Sequence, residues 1–138
     1  MPLSERFSIG NQRSDVSAFS DRFDAWCANH GVATSIVVAF QVAFDELLTN
    51  VIDYSLAGVA APHIEVIVQL DDAVLSAELV DNGPAFDPLA EAAEPDLDLD
   101  VEDRPIGGLG IHLVRNLMDD VRYQRIDECN HFFISKRR

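Results

Sequence analysis

Three short stretches place chemistry-bearing side chains at informative spacings. In DELLTNVIDYS (45–55), Glu46, Asn50 and Asp53 stand at i, i+4 and i+7, so a helix there puts them on one face. The Asn50 carboxamide oxygen suits a hard cation such as magnesium, and Glu46 can accept a proton. The same pair also occurs as a plain solvated helix edge. In DNGPAFDP (81–88), Asp81 closes a β-branched and aliphatic run. A carboxylate fixed at a strand end accepts a hydrogen bond from an exocyclic amine, and Gly83 lets a ligand approach the backbone. Asp-Asn-Gly-Pro is equally good turn chemistry. Finally, GGLG (107–110) opens an apolar-periodic segment. Glycines at a helix entry let backbone N–H groups face an anion with the helix dipole behind them, although such an entry also serves as a loop hinge.

The surrounding periodicity supplies elements to hold these groups. Val16, Phe19, Phe23, Trp26 and Cys27 recur at helical spacing after Ser14, a candidate N-cap, predicting an amphipathic helix over 15–29 that ends at His30-Gly31. Val37, Phe40, Phe44, Leu47, Val51 and Tyr54 predict a longer helix from Thr34 to Leu56, stopped by Gly58 and Pro62. HIEVIVQL (63–70) and AVLSAELV (73–80) read as a hairpin about Asp71-Asp72. VRYQRI (121–126) and HFFISK (131–136) read as a second. Ile111, Val114, Leu117 and Met118 predict a third helix between Gly107 and Asp120, and Arg6–Ile9 an edge strand. These imply one α+β domain over residues 1–138, a two-layer α/β sandwich whose mixed, mostly antiparallel sheet is covered on one face by helices.

Composition narrows the function. Ten Lys+Arg against 24 Asp+Glu give a net charge of −14, and Lys136 is the only lysine. So acidic a chain is a poor direct binder of nucleic acid or of an anionic membrane. With its one lysine at the C-terminal end, it has no GxxxxGK[ST] phosphate loop. No run of about 18 uncharged apolar residues predicts a membrane span, and no basic-then-apolar leader predicts export. Cys27 and Cys129 lie far apart and read as free thiols of a reducing cytoplasm. Residues 87–104 hold eight acids and one arginine, a net of −7, so half the charge sits in an eighth of the chain. Such a segment cannot bury much and is expected to be a mobile excursion.

The order of these stretches, ELLTN on a helix, a strand ending in DNG, an acidic excursion, then GGLG opening a helix, resembles the GHKL superfamily of ATP-binding (Bergerat-fold) domains. More narrowly it resembles the anti-sigma-factor serine/threonine kinase branch, of RsbW and SpoIIAB type, over roughly residues 5–138. The resemblance is carried by DELLTNVIDYS (45–55), DNGPAFDP (81–88) and GGLGIHLVRNLMDDVRY (107–123).

The resemblance implies a magnesium ion held by Asn50 and Glu46 as general base toward a substrate serine. It implies Asp81 on the adenine amino group, Gly83 under the base, and Gly107, Gly108 and Gly110 around the phosphates. Further nucleotide contacts are implied at Asp53, Phe86 and Leu109, with residues 87–106 as a lid. It implies ATP (and ADP) with Mg2+, a STAS-type anti-sigma-factor antagonist as protein substrate, a sigma factor as second partner, and a homodimer through the sheet side. The alternative is an ATP-binding regulatory module that sequesters a partner without phosphorylating it. Many relatives carry histidine where this chain has Tyr54, and the acidic lid is expected to repel ATP unless it is screened.

Overall fold

The computed structural model describes residues 2–91 and 108–138. Its strands, β1 (Leu3–Ile9), β2 (Ile64–Leu70), β3 (Val74–Asp81), β4 (Asp120–Ile126) and β5 (Cys129–Arg137), form one sheet in the order β1-β2-β3-β5-β4. The expected mixed sheet is corrected to an antiparallel one, since all four strand pairings run antiparallel. Both expected hairpins form. At the first, the Asp71 carboxylate accepts the N–H groups of Ala73 and Val74, a side-chain turn that does the work of a glycine. At the second, Asp127 and Glu128 take φ of 49° and 66°, the two left-handed positions of a tight hairpin turn.

Period-two alternation assigns the faces. Phe7, Val66, Leu79 and Phe132 lie side by side across four strands and point inward, as do Val68, Ala77 and Ile134 in the next row. Helices α1 (Arg13–Asn29), α2 (Thr34–Asn50) and α4 (Gly108–Leu117) cover that face, with a single helical turn α3 (Pro88–Glu91) before the acidic segment. Helix α1 is capped by Gln12 rather than Ser14, because Asp15 reaches back to accept the Gln12 N–H at 3.1 Å. Of the expected excursion, 87–104, Pro88–Glu91 form helix and 92–104 lie outside the described residues, as do the last residues of the expected lid and Gly107.

Phe19, Phe23, Phe40 and Phe44 meet between α1 and α2 with ring centroids 5.0–6.1 Å apart. The stretch Thr34–Ser55 is, at 22 residues, long and apolar enough by length and composition to cross a membrane, although Asp45, Glu46 and Asp53 interrupt it. Here its apolar side is spent on the core: Phe40, Ala43 and Leu48 are fully buried. After Asn50 the helix widens into a π-helical turn (Val51–Ser55), closed by the Leu56 N–H donating to the Val51 carbonyl at 2.8 Å.

Candidate functional site

Where the C-terminal end of α2 meets the end of β3, a cleft opens beside the sheet. Leu47, Val51, Leu79 and Phe132 give it apolar walls, Phe86 and Tyr123 line it with aromatic rings, and Asn50 and Asp81 are among its polar members. Asp81 is only 6% exposed, a carboxylate in apolar surroundings, and three donors converge on its Oδ1. They are the Ser55 hydroxyl at 3.1 Å, the Gly83 N–H at 2.9 Å and the Asn130 amide at 3.0 Å. Its Oδ2 accepts no hydrogen bond from a described residue. Buried carboxylates are stable when so bonded, and among the described residues the remaining oxygen meets no donor where Asp81 lines the apolar cleft.

Local structure explains the arrangement. The sheet register makes Asp81 and Asn130 direct cross-strand partners on β3 and β5, and Asn130 and Arg125 direct partners on β5 and β4. Asn130 is 4% exposed. It also donates to the Pro84 carbonyl at 2.9 Å and accepts from the Phe86 N–H at 3.2 Å, from Arg125 at 3.2 Å and from the Tyr123 hydroxyl. Arg125 donates to the Gly83 carbonyl at 2.7 Å. Gly83 has to be glycine by packing, since a Cβ there would stand 2.3 Å from the Ser55 Oγ and 2.6 Å from the Ser55 carbonyl oxygen.

Asn50 and Glu46 lie one turn, about 6 Å, apart along α2. Glu46 sits outside the cleft lining and packs on the first turn of α4, where a Cβ on Gly110 would come within 2.4 Å of its Oε2. Beside the apolar cleft that Asp81 lines, Asn50 and Glu46 of α2 and the first turn of α4 make a second zone. The first zone suits a flat heterocycle carrying an amine, and the second an anionic group with a proton acceptor beside it.

Of the expected site residues, Asn50, Asp81 and Phe86 line the cleft, Gly83 supports Asp81, and Glu46 meets Gly110 beside Gly108 in the α4 opening turn. Gly107 lies outside the described residues, as does the side chain of Leu109. The structure does not bring Asp53 to the cleft: its carboxylate is paired with Arg13 of α1, which raises the already high pKa of that guanidinium. Tyr54 is likewise turned outward, 53% exposed. Sequence reasoning missed Ser55, Tyr123, Arg125 and Asn130. The alternation of β4 and β5 carried a faint sign of Asn130, a polar residue in phase with the buried Phe132 and Ile134.

The histidine kinase-like ATPase domain family matches residues 10–136. The serine/threonine-protein kinase BtrW of Bordetella bronchiseptica is 31% identical over 91 residues, covering 66% of this chain and 63% of that protein. The serine-protein kinase RsbW of Listeria monocytogenes is 30% identical over 95 residues, covering 67% of this chain and 60% of that one. The aligned stretches thus span about three fifths of those proteins. Among solved structures, the RsbU and RsbW domains of Rv1364c from Mycobacterium tuberculosis superpose with a TM-score of 0.67 at 14% identity, covering 98% of this chain and 32% of that one. The histidine kinase domain of the blue-light activated kinase of Erythrobacter litoralis EL346 gives 0.54 at 11% identity, over 90% and 59%. At such identities the structural likeness bears on the fold alone.

Proposed function

Because the chain belongs to the histidine kinase-like ATPase domain family, we propose that it is a cytoplasmic, ATP-dependent protein serine/threonine kinase acting as an anti-sigma factor. In this reading it phosphorylates a STAS-type anti-sigma-factor antagonist and sequesters a sigma factor. The observation that carries the nucleotide reading is Asp81, whose Oδ1 is saturated by three donors while its Oδ2 is left as an acceptor at an apolar cleft. That oxygen takes the hydrogen bond of the adenine amino group, and the apolar and aromatic walls cover the base. The kinase reading draws further support from two relatives named as serine or serine/threonine kinases.

The rest of the reaction follows from what the second zone offers. The serine Oγ of the protein substrate attacks the γ-phosphorus, the bond to the β–γ bridging oxygen breaks, and ADP leaves. Glu46 takes the hydroxyl proton, and Gly108 and Gly110 leave the α4 N–H groups accessible to phosphate oxygens. Asn50, at the junction of the two zones, has the carboxamide oxygen that magnesium requires. Magnesium, when bound, neutralises phosphate charge, and no covalent enzyme residue is needed because phosphoryl transfer depends on positioning and electrostatics.

Isothermal titration of Mg-ATP into the wild type and Asn50→Ala tests nucleotide binding, with binding by the wild type and its loss in the variant as the expected result. Transfer of the γ-phosphoryl group to a STAS-type substrate then tests catalysis. Glu46→Ala should abolish transfer while ATP affinity stays within about threefold. Binding without transfer in the wild type would leave the non-catalytic ATP-binding module, and no binding at millimolar ATP would remove both readings.

A further inference from the structure

Asn130 belongs to none of the three stretches that announce the site, yet its side chain makes five hydrogen bonds. Their chemistry fixes the orientation of its amide. Both N–H groups of Nδ2 point at pure acceptors, the Asp81 carboxylate and the Pro84 carbonyl. Oδ1 faces three donors, the Phe86 N–H, the Arg125 guanidinium and the Tyr123 hydroxyl. Turning the amide over would set donor against donor at Phe86 and Arg125 and acceptor against acceptor twice, so one orientation alone is allowed. With its donors and acceptor committed, Asn130 has nothing left to offer a ligand directly. What it can do is hold Asp81.

A carboxylate bonded by one donor can rotate about χ2 and present either oxygen, or a bridging water, to the cleft. Three donors on the same oxygen remove that freedom, and Asn130 is the one of the three delivered from a neighbouring strand. The same side chain ties the segment after Asp81 to β5 through Pro84 and Phe86. Arg125 holds the intervening Gly83 carbonyl, so the turn beside the cleft is pinned at three successive points. Building on the adenine reading of the cleft, we propose that Asn130, held by Tyr123 and Arg125, is the positioning residue that locks Asp81 into an outward-facing acceptor and thereby sets the preference for an amine-bearing purine over a carbonyl-bearing one. A guanine puts its C6 oxygen where adenine carries its amine, facing the fixed carboxylate oxygen, so lone pair meets lone pair. The penalty lasts only while the carboxylate cannot turn away.

The test is competition of ATP and of GTP against a fluorescent ADP analogue, with magnesium, on the wild type, Asn130→Ala and Arg125→Ala. The wild type should prefer ATP by at least about a hundredfold. Asn130→Ala should lose about ten- to a hundredfold in ATP affinity while GTP changes by less than about threefold, so that discrimination collapses. Parallel losses for both nucleotides would mark Asn130 as merely structural and overturn the proposal, and so would an unchanged ATP affinity. Arg125 is exposed, and its removal should leave the fold intact by circular dichroism. If Asn130→Ala does not fold, Arg125→Ala decides: a ratio narrowed by about threefold supports the proposal and an unchanged ratio overturns it. A wild type that binds neither nucleotide would instead defeat the adenine reading, and this inference with it.

Discussion

Three donors converge on one oxygen of Asp81, and that asymmetry dictates what a substitution there does. In Asp81→Asn the carboxamide must turn its oxygen inward to meet those donors, which leaves its NH2 facing the cleft. An acceptor becomes a donor with no change in shape. ATP affinity should fall by at least about a hundredfold and the preference should invert toward GTP, whose C6 oxygen now has a partner. The competition assay reads both. Cys27 offers a residue-scale test of the core. Burial pushes its thiol from 9.0 up to about 12, with Asp24 adding to the effect. The folded value lies above the unfolded one, so the neutral thiol's contribution is complete below about pH 9 and is lost as pH rises from 9 toward 12. Melting temperature should therefore fall more steeply above pH 9 in the wild type than in Cys27→Ala. Iodoacetamide at pH 8 should label the half-buried Cys129 before the fully buried Cys27.

At the scale of elements, the contact between α2 and α4 separates stability from activity. Gly110 is an α-helical residue, so Gly110→Ala should favour α4 by up to about 1 kcal/mol. The new Cβ would fall 2.4 Å from the Glu46 Oε2, the far end of a flexible side chain that can move aside. The expected variant melts no lower than the wild type, yet turns over about ten- to a hundredfold more slowly with a smaller change in KM for ATP, because the proton acceptor is displaced. Thermal melts beside steady-state kinetics check this. The elements themselves were readable wherever one period governs a segment. Phe40, Phe44 and Leu47 announced α2, and the β-branched runs on either side of Asp71-Asp72 announced the hairpin that delivers Asp81. Legibility ended where the period changed. The π-helical turn advances each residue by less than the α-helical 100°, so Asp53, in phase with Glu46 on paper, meets Arg13 while Ser55 reaches Asp81. Asn130 and Arg125 were hidden for another reason: their roles come from strand register, which joins residues 49 apart in sequence, and no local pattern encodes that partnership.

Considered whole, the molecule sets its own charge against its proposed ligand. A net charge of −14 faces Mg-ATP, itself an anion, and half of that charge lies in residues 87–104, next in sequence to the site. Among the described residues the nearby cations are already paired: Arg125 with Gly83 and Asn130, Arg115 with the Leu89 carbonyl, and Arg13 with Asp53. Anion sites built from clustered lysines lose affinity as salt screens attraction, but here the long-range term is repulsive, and screening should work in the opposite sense. At the edge of the cleft the local contacts, a hydrogen bond to Asp81 and apolar cover for the base, are short-ranged and nearly indifferent to ionic strength. Repulsion from the net charge of the chain is long-ranged, and added salt is most effective on it. Raising NaCl from 50 to 300 mM at fixed magnesium should therefore tighten Mg-ATP by about two- to threefold, mostly through a faster on-rate. Stopped-flow binding of a fluorescent analogue would resolve the two rates. A two- to threefold weakening would mean that attraction rather than repulsion dominates the long-range field at the site.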